Sequence, residues 1–241
     1  MTSADDYIHI IPSTPSYAHA QESTMSRVYN VDANDPNAEI FTAAMFCHQQ
    51  RLFPEGQFIA LHKGRIVGLT VSMRLPFDPE NPFIESWFTT ISMGWLHRHD
   101  PGAAWMYGVE SCVLPDYQSR GVGGALMQAR FDVARDLNLR GIVAGSALIS
   151  MRANAESHGM IAPAEYIRQI VTGDLYDRNL TKQIKKGFVP LAVIPNYLHD
   201  DDSMGFGAVI VWHNPDYDPA RGRVTSQRRY KVALKTMSGR V

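Results

Sequence analysis

The stretch from Val113 to Met127 reads VLPDYQSRGVGGALM, and this stretch decides the predicted fold. It starts at the end of an apolar segment, passes through a glycine-rich turn and runs directly into apolar residues at helical spacing. A strand that enters a helix through such a turn gathers backbone N–H groups at the positive end of the helix dipole. Glycine permits the close approach and the positive φ angles that an anion-binding turn needs. A phosphate or pyrophosphate is therefore the predicted ligand of this turn.

Two common phosphate-binding motifs do not fit the turn. A dinucleotide fingerprint requires a third glycine where the chain has Leu126, and a P-loop requires Gly-Lys-Ser/Thr where the chain has Gly-Gly-Ala. The pattern that fits is Gln/Arg-x-x-Gly-x-Gly/Ala, matched by Gln118, Gly121 and Gly123. With Pro115 before the turn, these residues make the chain resemble the GNAT superfamily of N-acetyltransferases.

The resemblance covers about residues 7–212 and implies an α/β fold. The sheet would be mixed, mostly antiparallel and twisted, with six or seven strands flanked by helices and splayed between strands 4 and 5. Those strands are predicted at 105–113 and 140–146, and acyl-CoA would lie between them. Acetyl-CoA is the implied co-substrate, and no metal is required. The residues implied to bind it are Cys112, Val113, Leu114, Gln118, Ser119, Arg120, Gly121, Val122, Gly123, Gly124 and Ala125.

Hydrophobic periodicity predicts the remaining elements. Strands are expected at 7–11, 58–61, 65–71, 188–194 and 206–212, and helices at 17–28, 37–52, 84–96, 164–171 and 179–186, besides the helix that opens at the glycines. A tight turn at His62-Lys63-Gly64 joins the second and third strands. This order of strands and helices also predicts a mixed α/β sandwich.

The chain divides into a predicted acyltransferase domain at 1–213 and a basic extension at 214–241. Within the domain, residues 76–101 form an insertion whose Trp87, Phe88, Met93 and Trp95 either line an acceptor pocket or pack in the core. From Arg221 onward the chain carries seven cations and no acid. Such a tail is more often solvated or packed on a partner than bound to a polyanion, so nucleic acid is not the predicted partner.

Bulk composition limits the class of protein. The chain has 241 residues, 45% hydrophobic and 20% charged, with a net charge of −1, which suits one globular domain without a field that attracts nucleic acid or membranes. The two cysteines, Cys47 and Cys112, are too few for a disulfide scaffold and lack the spacing of metal ligands, so no zinc site is predicted. Since no run of 18 apolar residues and no leader pattern occurs, a cytoplasmic protein is predicted. A homodimer is compatible with the sequence.

The resemblance implies direct attack of an amine on the thioester, which needs a base and an acid. Bases of the family commonly stand nine or eleven residues before the motif, at Val109 and Tyr107 here. Glu110 has the opposite parity and reaches the cleft only if a bulge shifts the register; otherwise it is a structural carboxylate. His97, His99 and Asp100 form a second cluster of candidates.

The acid is less well defined than the base. The usual tyrosine of the family lies four residues before the Gly-Phe pair, where this chain has Gln183. Tyr176 or Tyr166 is a candidate substitute, although both residues could simply pack a helix face.

The stretches FPEGQ at 53–57 and DRNLTKQ at 177–183 are similar to acetyltransferase domains that are fused to carbon–nitrogen hydrolases. The predicted function is transfer of an acetyl group from acetyl-CoA to a primary amine, on a small molecule or a peptide, in a ternary complex. The alternative is a non-catalytic acyl-CoA-binding or regulatory module, which Gln183 favours. An interaction protein that uses the basic tail is a third class.

Overall fold

The computed structural model describes residues 7–33, 35, 38–221 and 232–235. The strands are β1 (Tyr7–Pro12), β2 (Phe58–His62), β3 (Arg65–Leu75), β4 (Trp105–Val113), β5 (Gly141–Ala147), β6 (Val189–Ile194), β7 (Gly207–His213) and β8 (Val232–Lys235). They form one sheet in the order β6-β7-β5-β4-β3-β2-β1-β8. Neighbours pair antiparallel except for β4 and β5, which run parallel.

The helices cover both faces of this sheet. They are α1 (Ala18–Tyr29), α2 (Ala43–Leu52), α3 (Trp87–Thr90), α4 (Val122–Asp136), α5 (Met151–His158), α6 (Pro163–Thr172) and α7 (Leu180–Ile184). Leu126 and Val133 of α4 belong to one apolar cluster, and Met25 of α1 and Phe46 of α2 belong to another. Because β3 lies between these layers, its residues from Ile66 to Leu75 are all buried.

The predicted mixed sheet is confirmed by β1–β7. An eighth strand, β8, lies within the predicted basic extension and pairs with β1, with Ile8 opposite Leu234. Sequence patterns missed it because four residues are too few to show an alternation. The cations Arg223, Arg228, Arg229, Lys231 and Arg240 of the extension lie outside the described residues.

Three predicted helix boundaries were wrong. The helix predicted at 37–52 begins at Ala43, where the Thr42 hydroxyl accepts the Met45 N–H at 3.3 Å, and Asn37 lies outside the described residues. The helix predicted at 84–96 spans only Trp87–Thr90, because Ser92 and Met93 have positive φ angles and turn the chain. The last predicted helix is confined to Leu180–Ile184, and α5 was not predicted.

The sheet opens between β4 and β5, as predicted. These strands pair over four positions, from Trp105 opposite Gly141 to Gly108 opposite Ala144. Beyond Gly108, β4 continues along β3 as far as Val113, while β5 continues along β7. The two strands therefore separate at their carboxyl ends and leave a cleft. Among the described helices, none has the length and apolar character needed to cross a membrane.

We predict that Gly141→Ala destabilises the sheet and that Gly123→Ala does not. A Cβ at Gly141 would overlap the backbone carbonyl of Trp212 and lie 2.7 Å from the Trp105 ring, so strands would have to shift. Such overpacking costs about 1–3 kcal/mol. At Gly123 the nearest atom is 3.9 Å away, and alanine favours the helix. Urea unfolding measures both, and equal midpoints would contradict the close packing at Gly141.

Candidate active site

The glycine-rich turn after β4 has the backbone of an anion-binding turn. Ser119 and Gly121 adopt left-handed conformations with φ angles of 60° and 82°, and α4 begins at Val122. No side chain caps this helix, and its first turn contains no acidic residue. The first N–H groups of an α-helix have no intrahelical acceptor, so those of Val122, Gly123 and Gly124 are available to an anion.

The space beside the turn is open, and cations border it. A Cβ at Gly121 would meet no atom within 4 Å, and one at Gly123 would meet only a Val113 methyl group. Lys186, just past α7, places its Nζ 3.6 Å from where a Gly124 Cβ would lie. Arg120 lies over the Tyr117 ring at 5.3 Å. The turn therefore fits a pyrophosphate, and Lys186 is a cation that sequence analysis did not identify.

Other predicted coenzyme residues serve the structure of the turn itself. The Gln118 amide donates to the Val113 carbonyl at 3.2 Å and closes the base of the turn. Leu114 donates its N–H to Val67 at 2.9 Å and accepts the Tyr117 N–H at 2.8 Å, so its N–H is not free for pantetheine. Cys112 is buried within β4, and the Ala125 N–H donates to Gly121 inside the helix.

β4 contains a bulge, which is the shift in register that Glu110 needs in order to reach the cleft. Val71 pairs with Glu110 whereas Ser72 pairs with Gly108, so Val109 is an extra residue. The alternation changes phase there: Tyr107 and Val109 pack in the same apolar cluster, and after the bulge Cys112 joins that cluster. Glu110 is therefore turned toward the α1 face of the sheet.

The Glu110 carboxylate is half-buried and hydrogen-bonded. It accepts the Tyr29 hydroxyl at 2.7 Å and the N–H of Ser111 at 2.9 Å. Burial raises the pKa of Glu110, whereas the Tyr29 hydrogen bond, the Arg130 charge and the Ser111 N–H lower it in part. Sequence analysis missed Tyr29 because it lies 81 residues away. A carboxylate with a raised pKa at the edge of a cleft is typical of a general base.

Tyr107 and Tyr176 are the other predicted catalytic residues, and neither is among the hydrogen-bond partners of the Glu110 carboxylate. Tyr107 is 1% exposed, and burial raises its pKa to about 12. Its hydroxyl interacts with Tyr197 and with the backbone of Gly145, the first β5 residue without a β4 partner. Tyr176 is 52% exposed in the connection before α7. Both roles stay predictions.

The remaining candidates are held by structural contacts. His99 accepts the Arg74 N–H at 3.0 Å, Asp100 accepts the Gly102 N–H, and the buried Tyr166 donates to Asp177 at 3.1 Å. His97 is exposed. Gln183 differs from these residues, because its side-chain oxygen is buried without a hydrogen-bond partner among the described residues.

A cavity of about 780 Å³ lies on the α1 and α2 face. The insertion at 76–101 forms one wall of it, and residues 33, 35, 38–42 and 45, together with 196–199, form the others. Its lining includes all four predicted residues, Trp87, Phe88, Met93 and Trp95.

Trp87 connects this cavity to the bulge. Its indole N–H donates to the Val109 carbonyl at 2.8 Å, and its backbone N–H donates to Tyr197 at 3.0 Å. The cavity wall is therefore fixed directly to the strand that carries Glu110.

A family model, described as the acetyltransferase (GNAT) family, matches residues 22–160. Among individual proteins, the "Probable hydrolase YhcX" of Bacillus subtilis (strain 168) is 35% identical over 183 residues. That match covers 76% of this chain and 34% of YhcX, so the chain spans about a third of the length of this relative. YhcX is named as a hydrolase and extends beyond the matched region. This agrees with the predicted likeness to acetyltransferase domains that are fused to hydrolases.

A second relative is the "Uncharacterized N-acetyltransferase YkwB" of Bacillus subtilis (strain 168), 28% identical over 70% of this chain and 74% of its own length. Among solved structures, the GphF GNAT-like decarboxylase in complex with isobutyryl-CoA superimposes with a TM-score of 0.69 at 20% identity, covering 85% of this chain and 98% of that one. The loading GNATL domain of CurA from Lyngbya majuscula gives 0.68 at 16% identity, covering 86% and 98%. At these identities the likeness shows the fold.

We predict that Trp87→Phe lowers the free energy of unfolding by about 1–3 kcal/mol, the cost of leaving a buried carbonyl without its donor. The change keeps an aromatic ring but removes the N–H that binds Val109. The matched control is Trp95→Phe in the same insertion, where the ring is partly exposed. Equal losses in urea unfolding would contradict a specific role for the Trp87 N–H.

Proposed function

The chain belongs to the acetyltransferase (GNAT) family, and we propose that it transfers an acetyl group from acetyl-CoA to a primary amine. The observation that carries the proposal is the separation of β4 from β5 after Gly108. The opening has the glycine-rich turn at the end of β4 and the Glu110 carboxylate beside it on the same strand. In this proposal the base lies on β4 and the donor site on the turn that follows it.

The donor site is supported by the backbone of the turn and by two nearby cations. The N–H groups of Val122, Gly123 and Gly124 would bind the pyrophosphate, with Lys186 and Arg120 adding positive charge. The pantetheine arm would then follow the opening between β4 and β5. The likeness in fold to the GphF decarboxylase, whose structure contains isobutyryl-CoA, supports acyl-CoA as the donor class.

The chemistry requires one proton acceptor near the thioester. The amine nitrogen attacks the carbonyl carbon, the carbon–sulfur bond breaks, and the sulfur departs as a thiolate that takes up a proton. Glu110 would accept the proton that the amine loses. Because burial raises the pKa of this carboxyl, it is a stronger base than an exposed glutamate.

The cavity behind Trp87 would hold the acceptor. Its aromatic walls suit an apolar body, and the carboxylates of Asp35 and Glu39 on the same lining favour the approach of a cationic amine. Since Trp87 contacts Val109, an amine bound there would lie close to the strand that carries Glu110.

The test is an assay of thiol release from acetyl-CoA with phenethylamine, tryptamine, spermidine, lysine and a short peptide as acceptors. Wild-type protein is expected to acetylate at least one of these amines, and the arylalkylamines phenethylamine and tryptamine are expected to react best. Glu110→Gln should lower the turnover about 10²–10⁴-fold, the usual contribution of a general base, while the affinity for acetyl-CoA is kept.

The matched control is Glu156→Gln, an exposed residue on α5 that should leave turnover unchanged. Full activity of Glu110→Gln would contradict its role as the base. Binding of acetyl-CoA without transfer to any amine would instead support the non-catalytic module, which Gln183 favours because it stands where the family has a tyrosine.

A further inference from the structure

A buried arginine lies beneath the bulge of β4. Arg130 projects from α4 and is 4% exposed. Its guanidinium donates to the Val71 carbonyl at 2.7 Å, to the Ser72 hydroxyl at 3.1 Å and to the Glu110 carbonyl. These acceptors flank the point where the register of β3 and β4 shifts.

Gly108 leaves room for this guanidinium. A Cβ there would lie 3.3 Å from an Arg130 nitrogen, closer than most side chains pack. Residues on both sides of the bulge therefore accommodate the cation, Gly108 by lacking a side chain and Glu110 by accepting a hydrogen bond.

None of the hydrogen-bond acceptors of Arg130 is charged. Within the described residues, no carboxylate lies within ion-pair distance of the guanidinium. Burial of a cation without a charged partner is costly, and a nearby opposite charge offsets part of that cost. The Glu110 charge has this effect, because it raises the pKa of Arg130, which burial lowers to about 10.

We propose that Arg130 is a positioning residue that fixes the bulge and holds the Glu110 carboxylate in its ionised form. This proposal depends on the proposed function only for the role of the ionised carboxylate as a general base. The charge on α4 thereby acts together with the Tyr29 hydrogen bond against the effect of burial on this carboxylate.

The other titratable groups around Glu110 are neutral near pH 7. Tyr29 faces it from α1, Cys112 and Tyr107 lie on β4, and Tyr197 comes from the connection between β6 and β7. Burial, foremost, raises the pKa of each of these four groups. Among the described groups that act on this carboxylate, Arg130 is thus the charged one.

The sign of the effect follows from the charges. A cation stabilises the ionised carboxylate and lowers its pKa, so removal of the cation must raise it. Because a base acts only when deprotonated, the acid limb of kcat/KM would then move to higher pH, with about a tenfold loss at the acid end for each pH unit of movement.

Three variants separate charge from geometry. Arg130→Gln removes the charge but keeps N–H donors for the bulge, and Arg130→Met removes both. Thr70→Val is the matched control, because the Thr70 hydroxyl donates to the same Glu110 carbonyl at 2.9 Å without carrying a charge. Calorimetric titration with acetyl-CoA and cooperative urea unfolding show whether each variant keeps the fold.

The decisive measurement is a carbon-13 NMR pH titration of protein labelled at the glutamate δ-carbons. The chain has eight glutamates, so Glu110 can be assigned from the signal that disappears in Glu110→Gln. The proposal predicts an upward shift of the Glu110 midpoint in both Arg130 variants and an unchanged midpoint in Thr70→Val.

Three results would overturn the proposal. The first is an unshifted midpoint in Arg130→Gln, and the second is an equal shift in Thr70→Val. The third is failure of both Arg130 variants to fold, which would assign the arginine to structure alone. Since the titration requires no acceptor amine, it decides this coupling even if the wild-type protein transfers no acetyl group, which would contradict only the proposed function.

Discussion

The extra residue Val109 breaks the alternation of side chains halfway along β4, and the arrangement of the site depends on this break. It turns Glu110 toward the α1 face, and it leaves two carbonyl groups that side chains must bind. Trp87 donates to Val109, whereas Thr70 and Arg130 donate to Glu110. Three separate elements are therefore fixed to one bulge, which lies just beyond the point where β4 and β5 separate.

β4 also lies between the two sites that the proposed function requires, one for the acyl donor and one for the amine. On the α4 face, the turn that follows β4 forms an open site bordered by Lys186 and Arg120. On the opposite face, the insertion and the residues around Tyr197 enclose an aromatic cavity. An acyl donor and an amine would thus approach from different sides and meet at the cleft. This is the arrangement that direct attack in a ternary complex needs.

Local patterns were sufficient to predict most of the sheet and the glycine-rich turn that begins α4. The glycines at 121 and 123, followed by Leu126 and Val133 at helical spacing, indicate the turn and α4 before any tertiary contact is known. The contacts of Glu110, the base in the proposed function, could not be predicted in this way. Tyr29 reaches Glu110 across 81 residues. Arg130 lies at helical spacing from Leu126 and Val133 on the buried face of α4, but the acceptors that its guanidinium binds on β3 and β4 are not apparent from the sequence. Such pairings exist only after the sheet and helices have packed together.

Binding of acetyl-CoA at the glycine-rich turn is the central claim, and calorimetric titration tests it most directly. Wild-type protein, Gly123→Ala and Gly123→Trp would each be titrated with acetyl-CoA at moderate salt, after cooperative unfolding has shown that each is folded. The open space at Gly123 predicts binding by wild type and weakened or retained binding by the alanine variant, with none by the tryptophan variant, whose ring fills the turn. Equal binding by wild type and Gly123→Trp, or no binding by wild type, would contradict the account.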